Sequence, residues 1–303
     1  MITILISTYN GERFLPEQIE SLVNQKDVEI QILIRDDGST DGTISLLKEY
    51  KKENIILDWY QGSNLKTAKS FLDLLAHAPD SEYYAFCDQD DVWNNDKLSK
   101  AIGEIENAQN LALEEKPILY CSNYQLVDEF LNDLPDNRHV TTTNFYSALV
   151  SSCCAGCTVV FNRILKEFLS KKIPTNIVMH DDWAHKVCLA LGGIVIYDNT
   201  KTIMYRQHGN NVDGGLHSFR HRVIMILKRI KTQDRIRSKQ ISEILRIYKD
   251  NMPDENRLFL SEFIKRYNAN IFGRLSLVMD KRLKTYYRRM DFGFKMAVLF
   301  HYF

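Results

Sequence analysis

The chain has 303 residues, 45% hydrophobic and 26% charged, with 39 Lys and Arg against 39 Asp and Glu. That composition suits a folded globular protein and excludes an intrinsically disordered chain, and the lack of any run of about 18 apolar residues excludes a spanning helix. The zero net charge is unevenly spread: Leu216 to Phe303 holds 20 Lys and Arg against 8 Asp and Glu, so the preceding part is acidic and the last part offers a basic partner surface.

Ile2 to Ser7 is an apolar, β-rich run that predicts a buried first strand, followed by the loop Thr8-Tyr9-Asn10-Gly11. Phe14, Ile19, Leu22 and Val23 recur at helical spacing within Glu12 to Gln25. Val28 to Ile34 predicts a second strand, and the polar loop from Arg35 to Thr43 can cap a helix over Thr43 to Lys52. A third strand over Ile55 to Tyr60, a turn at Gly62-Ser63-Asn64 and a helix over Thr67 to Ala76 come next.

Tyr83 to Cys87 then reads as a central buried strand that ends in three carboxylates, Asp88, Asp90 and Asp91. Carboxylates crowded at a strand end repel one another unless a cation sits among them, and hard divalent cations take oxygen ligands together with substrate phosphates. A solvated acidic turn leading into the helix near Asp96 to Ala108 is the alternative. Alternating strands and helices predict an α/β fold with a parallel sheet, whose ligands bind beyond the carboxyl ends of the strands. Three polar loops, Thr8 to Gly11, Asp36 to Gly42 and Asp88 to Asp91, should therefore meet on one edge.

Ile118 to Tyr124 predicts another strand, Asp128 to Asn144 is polar and unassigned, and small residues from Ser151 lead into a strand ending at Phe161. A short helix over Arg163 to Leu169 precedes the second acidic cluster, Met179-His180-Asp181-Asp182-Trp183, which opens a helix through Leu191. One aspartate can serve as its cap and favour its dipole, which leaves the other unexplained. Ile194 to Tyr197 and Ile203 to Tyr205 predict strands, and Arg206 to Val212 a polar loop suited to covering an anion. From His217 the pattern is helical and basic, with Val223, Ile226, Leu227 and Ile230, then Ile241, Ile244, Leu245 and Tyr248, at helical spacing. Such helices either lie on an anionic membrane or pack on the first domain with a solvated basic face. No nucleic-acid module is recognisable. The six cysteines include one C-x-x-C pair, Cys154 and Cys157, with no second pair, so buried thiols in a reducing cytoplasm are expected rather than zinc ligands. The N-terminus resembles no secretory signal.

The ordered set Thr8-Tyr9-Asn10-Gly11, Asp36-Asp37-Gly38-Ser39-Thr40-Asp41, Asp88-Gln89-Asp90-Asp91 and His180-Asp181-Asp182-Trp183 resembles family 2 glycosyltransferases. The ending Tyr205-Arg206-Gln207-His208-Gly209-Asn210-Asn211 resembles the rhamnosyltransferase-like members that build bacterial surface polysaccharides. The resemblance covers residues 1–215 and implies a GT-A fold, a Rossmann-like mixed sheet flanked by helices, with 216–303 as a basic helical extension. It implies inverting transfer, with Mn²⁺ or Mg²⁺, from a dTDP-sugar (dTDP-rhamnose foremost) or a UDP-sugar to a lipid-linked saccharide, at the cytoplasmic membrane face. Thr8 and Asn10 would line the nucleotide pocket, Asp36 or Asp37 would contact the base, and Asn64 and Lys69 would complete the donor side. Asp88 would touch the ribose or metal, Asp90 would bind the metal, His208 the metal or pyrophosphate, and Arg206 the phosphates. Asp182 stands at the family's base position, with Asp181 left open as the alternative. His180 and Trp183 would border the acceptor, a core position being the alternative for Trp183. A nucleotidyltransferase is disfavoured because Thr8 to Gly11 holds a single glycine, and a decayed binding protein because Asp88, Asp90 and Asp182 are present.

Overall fold

Strand β1 (Ile2–Thr8) is buried on both sides, Ile2, Ile4 and Ile6 facing one helical layer and Leu5 the other. Strand residues alternate between faces, so an unbroken apolar run requires cover on both. The computed structural model describes residues 1–135, 143–209, 231–232, 234–285 and 287–303. The expected Asn210 to Val212 loop and the helix carrying Val223 to Ile230 lie outside these residues.

Helix α1 (Leu15–Val23) leads to β2 (Ile30–Asp36), α2 (Thr43–Lys52), β3 (Asp58–Gln61), α3 (Lys66–His77) and β4 (Tyr83–Cys87). After β4 come the short β5 (Val92–Trp93), α4 (Lys97–Leu111) and β6 (Ile118–Val127). Helix α5 (Phe145–Val150), a 3₁₀ turn (Gly156–Thr158), β7 (Val160–Asn162), α6 (Arg163–Ser170), α7 (His180–Ala190) and β8 (Ile194–Arg206) complete the sheet region. The C-terminal part forms α8 (Ile236–Tyr248), α9 (Asp254–Asn268), α10 (Ile271–Val278) and α11 (Arg288–Leu299).

Among the described residues the strands form one sheet in the order β3-β2-β1-β4-β7-β6-β8-β5. Pairing is parallel across β3, β2, β1 and β4, antiparallel on both sides of β7, parallel again between β6 and β8, and antiparallel at β5. The sheet is mixed, as the family resemblance implied; the alternation of strands and helices accounts for its parallel part, β3 to β4. The three-residue β7 enters next to β4 against the direction of its neighbours, which periodicity does not report.

Two further features escaped the sequence pattern. Helix α5 starts where Asn144 accepts the Ser147 N–H at 2.9 Å, a cap hidden in a polar stretch. The two strands expected within 194–205 are one strand, continuous across the polar Asp198–Lys201 segment because its register against β6 shifts near Ser122 and Asn123.

One apolar layer packs α1, α2 and α4 on the face carrying Ile2, Ile4, Ala85 and Cys87. The other face, with Leu5, Tyr84 and Phe86, shares a single core with α3, α5, α6 and α7 and with Ile241, Ile244, Phe259, Phe263 and Phe303 of the C-terminal part. The basic helices thus use their apolar stripes against the sheet-bearing part. No helix among the described residues is long and apolar enough to cross a membrane.

Candidate active site

Parallel pairing brings three strand ends to one edge, with Thr8 opposite Asp36 and Ile6 opposite Cys87. Chain order reverses at β1, so a crevice opens between β1 and β4, where such sheets hold ligands. The loops flanking it are tied together. The Asp36 carboxylate accepts N–H bonds from Gly38 at 3.0 Å and Ser39 at 2.8 Å and a hydroxyl bond from Thr8 at 3.1 Å. Gly38 adopts φ +93°, which favours glycine. Asn10, at φ +49°, accepts the Thr40 N–H at 2.8 Å. Gln89 bonds both backbone groups of Tyr9, at 2.9 and 3.1 Å, and locks the first loop to the third. A Cβ on Gly11 would sit 2.4 Å from the Gln89 Oε1 and displace that amide from its bonds to Tyr9.

Beneath these loops, buried Arg35 pairs with Asp37 and Asp73 and donates to the Ser63 carbonyl. Asp37 also accepts the Leu65 and Lys66 N–H groups at 2.9 Å each. Replacing Arg35 with Met would strand a carboxylate that is 3% exposed. Arg35→Met is expected to cost about 3–5 kcal/mol in urea unfolding; a loss within the scatter of surface substitutions would discard Arg35 as the organiser.

The acidic strand end is crowded. Donor atoms of Asp88, Asp91 and Cys157 lie within 4.8 Å of one another. Asp91 accepts the Arg206 N–H at 3.0 Å, while its Oδ2 has no hydrogen-bonding partner among the described residues. His208 Nε2 is 2.8 Å from Asp90 Oδ2, and its ring stacks on Phe14. Burial, then the charges of Asp90 and Asp181, pushes Asp88 up to about 8. Burial, then the charges of Asp90 and Asp88, pushes Asp91 well above the carboxylate range. Buried Lys97 lies behind the cluster with its ammonium 3.5 Å from the Trp93 ring centroid, and burial pulls it down to about 8. Clustered oxygen donors, an orphaned buried carboxylate oxygen and carboxyls forced toward neutrality fit a hard divalent cation.

The first turn of α7 supplies the second cluster, and its two aspartates face different surroundings. Asp182 pairs with Lys186 one turn on and accepts Gln240 Nε2 at 2.6 Å from α8. Burial opposes ionisation there, but Lys186, then Arg237, hold Asp182 below the usual carboxylate range. Asp181 carries enough charge toward the strand end to raise Asp88. Its carboxylate accepts the Asp182 N–H at 2.7 Å. Burial, then Asp182, pushes Asp181 up to about 7.

Residues 3–169 match the family model described as "Glycosyl transferase family 2". The chain belongs to glycosyl transferase family 2. This glycosyltransferase is 29% identical over 230 residues to the dTDP-rhamnosyl transferase RfbG of Shigella flexneri, covering 71% of this chain and 75% of that protein. It is 26% identical over 218 residues to WfaP of Escherichia coli, named as a UDP-Glc:alpha-D-GlcNAc-diphosphoundecaprenol beta-1,3-glucosyltransferase, covering 70% and 79%. Staphylococcus aureus TarS 1-349, solved with UDP-GlcNAc, superposes with a TM-score of 0.57 at 15% identity over 98% of this chain and 90% of that one. The mannosyltransferase PcManGT of Pyrobaculum calidifontis, solved with GDP-Man and Mn²⁺, gives 0.55 at 15% identity over 98% and 85%. The fold is that of the GT-A glycosyltransferases.

Several site residues stand elsewhere than the motifs implied. Trp183 is fully buried in the core beside Tyr248, and His180 is buried between Phe71 and Phe86, so both, expected at the acceptor, stand in the core. Burial pulls His180 down to about 3, which keeps it neutral. Both follow from helix geometry: once Asp181 faces the strand end, its neighbours in the turn face the core. Arg206, expected at the phosphates, is also buried; its guanidinium pairs with Glu17 and donates to the Asp90 and Glu129 carbonyls, so it braces the acidic loop. Asp36 and Asp37, one of them expected on the base, both spend their carboxylates on the loops. Thr8 is buried under Asp36, Asn10 and Lys69 are exposed, and exposed Asn64 accepts the Lys66 N–H at 3.2 Å. Gln89, Cys157 and Lys97 were missed: Gln89 sits inside the acidic motif, while the other two are joined to it only by folding.

Proposed function

We propose that the enzyme transfers a sugar, rhamnose from dTDP-rhamnose in the leading reading, to a hydroxyl of a cell-surface saccharide with inversion at the anomeric carbon. The observation that carries this is Asp181, a half-buried carboxyl pushed up to about 7 beside the acidic strand end, with no salt bridge among the described residues, whereas Asp182 pairs with Lys186. Asp181 accepts the proton of the acceptor hydroxyl as that oxygen bonds to the anomeric carbon. The bond from that carbon to the phosphate oxygen breaks, and the nucleoside diphosphate leaves with the electron pair. A general base so placed contributes about 10²–10⁴-fold. Asp88, Asp90, Asp91 and His208 would hold Mn²⁺ or Mg²⁺, which neutralises charge developing on the leaving diphosphate. Gln89 and the Asp36 network hold the crevice loops in place.

Kinship to the rhamnosyl transferase RfbG supports the donor, and kinship to WfaP supports a lipid diphosphate-linked acceptor and keeps UDP-sugars as the rival donors. The test is release of nucleoside diphosphate from a panel of nucleotide sugars, with Mn²⁺ and again with EDTA, with and without a diphosphoundecaprenol-linked saccharide. Cation-dependent turnover of dTDP-rhamnose alone supports the reading. Turnover of a UDP-sugar alone replaces the donor and keeps the reaction class.

Peripheral docking to an anionic membrane is part of the same proposal. Exposed Phe272, Met279 and Phe292 on and beside α10 and α11 occur with Arg274, Arg288 and Arg289, a mix suited to an interface. Sedimentation with phosphatidylglycerol vesicles is expected to fall in Phe272→Ser/Phe292→Ser. No sedimentation of the parent chain would remove this part.

A further inference from the structure

Three thiols from two parts of the chain meet on the sheet face that carries α7. Cys121 stands on β6 and is fully buried, and Cys153 and Cys154, both half-buried, lie in the segment between α5 and the 3₁₀ turn. Their sulfurs lie within 4.8 Å of one another. Cys154 Sγ is 3.1 Å from Cys121 Sγ and 3.8 Å from Cys153 Sγ. A disulfide holds its sulfurs about 2.05 Å apart, so the Cys121–Cys154 pair needs only about 1 Å of further approach.

The three thiols are not equivalent. Hydrogen bonds from Cys121 and Cys154 hold the Cys153 thiol well below its ordinary value, whereas the bond with Cys153 raises Cys121 and burial raises Cys154. His185 Nε2 lies 3.6 Å from the Cys153 sulfur and supports its charge. Thiolates attack disulfides, and a sulfur with the lower value also departs faster. Cys153 is thus both the attacking and the departing sulfur, which leaves the other two to pair.

We propose that Cys121 and Cys154 form a disulfide when the chain meets a low-molecular-weight disulfide, with Cys153 as the entry thiolate. Cys153 attacks one sulfur of the reagent, and the other leaves as a thiolate. Cys121 loses its proton and attacks the Cys153 sulfur, expelling the second half of the reagent. Cys154 loses its proton and attacks the Cys121 sulfur, which returns Cys153 to its thiolate. The two protons go to the released thiolates, so two protein thiols are oxidised and one reagent disulfide is reduced to two thiols.

The bridge would act on the turn that carries Asp181. The Cys154 N–H donates to Ser152 Oγ at 3.1 Å, and that oxygen is 3.0 Å from His185 Nδ1 of α7. Two residues on, a Cβ on Gly156 would sit 2.7 Å from His180 Nε2 and 3.7 Å from the Asp181 Cβ, so the segment runs tight against the first turn of α7. Closing the bridge shifts this wall by about 1 Å, and a misplacement of that size can cost about 100-fold in rate. Oxidation is therefore expected to slow turnover by up to about 100-fold. That consequence rests on Asp181 as the base, whereas the bridge itself does not.

The test is incubation of the reduced full chain with excess oxidised glutathione, then alkylation and peptide mass mapping. A chain two hydrogens lighter than the reduced one, with the Cys121 and Cys154 peptides joined, is expected. Cys121→Ser should give no bridge and stop at an unresolved glutathione adduct on Cys153. No bridge in the parent chain, or a bridge joining any other pair, overturns the proposal, even if the variant does not fold. Dithiothreitol should reverse the bridge and restore turnover. Bridging that leaves turnover unchanged supports the disulfide and removes only its effect on Asp181, so failure of the site and failure of the base reading are told apart.

Discussion

Asp181→Asn is expected to lower turnover by about 10²–10⁴-fold while leaving nucleotide-sugar affinity intact. The same change at Asp182 is expected to act on the fold. Asp182→Asn leaves the Lys186 ammonium, 2% exposed, without its counter-charge. Breaking such a buried pair costs about 3–5 kcal/mol, read by urea unfolding, and slackens the Gln240 tie to α8. The pH profile separates the two roles. A general base works only when ionised, so the rate should rise with pH through the Asp181 transition and level off above it. That transition lies near 7 in the metal-free site, and a bound cation moves it lower. The acid limb should disappear in Asp181→Asn. Full turnover in Asp181→Asn, with loss in a stably folded Asp182→Asn, would return the base to Asp182.

Removing charge at the strand end is expected to stabilise the protein while destroying activity. Asp88 has its folded-state value raised from 3.8 to about 8. Between those values the folded chain holds more protons than the unfolded one, so stability falls as pH rises across that window. The metal-free protein should therefore melt lower near pH 8 than at about pH 5, and Asp88→Asn should flatten that slope and raise Tm at the alkaline end. Mn²⁺ should restore stability at high pH by about 2.7 kcal/mol at a hundred times its Kd, and far less in acid, where protons compete. Asp90→Ala should abolish both the Mn²⁺ stabilisation and turnover. Turnover of Asp88→Asn or Asp90→Ala equal to the parent's, or unaffected by EDTA, would remove the cation from this site.

Much of this was legible in the chain because it is local. Alternating apolar runs and amphipathic helices set β1, β2, β4, α2, α3 and α7 within a residue or two, since each is fixed by which faces must be buried. Parallel β1, β2 and β4 required the loops after them to share one edge, so the meeting of Thr8, Asp36 and Asp88 followed from connectivity alone. The unpaired C-x-x-C spacing, in contrast, pointed away from the thiol cluster. Its members Cys121 and Cys154 are 33 positions apart, and Cys157, half of that motif, turns to the acidic site instead.

The sequence by itself determined the sheet edge, the ordered acidic motifs and the glycosyltransferase class they denote, because each depends on short-range pattern and on which strand ends point the same way. Only the tertiary structure decided which atoms of those motifs are free to act. Adjacent aspartates on one helix turn are chemically identical in sequence, and what separates them is the company each meets: Lys186 and Gln240 for Asp182, the crowded strand end for Asp181. The same holds for Arg206, Trp183 and His180, whose polar or aromatic groups became bracing and core once long-range packing set their burial. Ionisation follows local solvation and neighbouring charge, and both are properties of the folded chain.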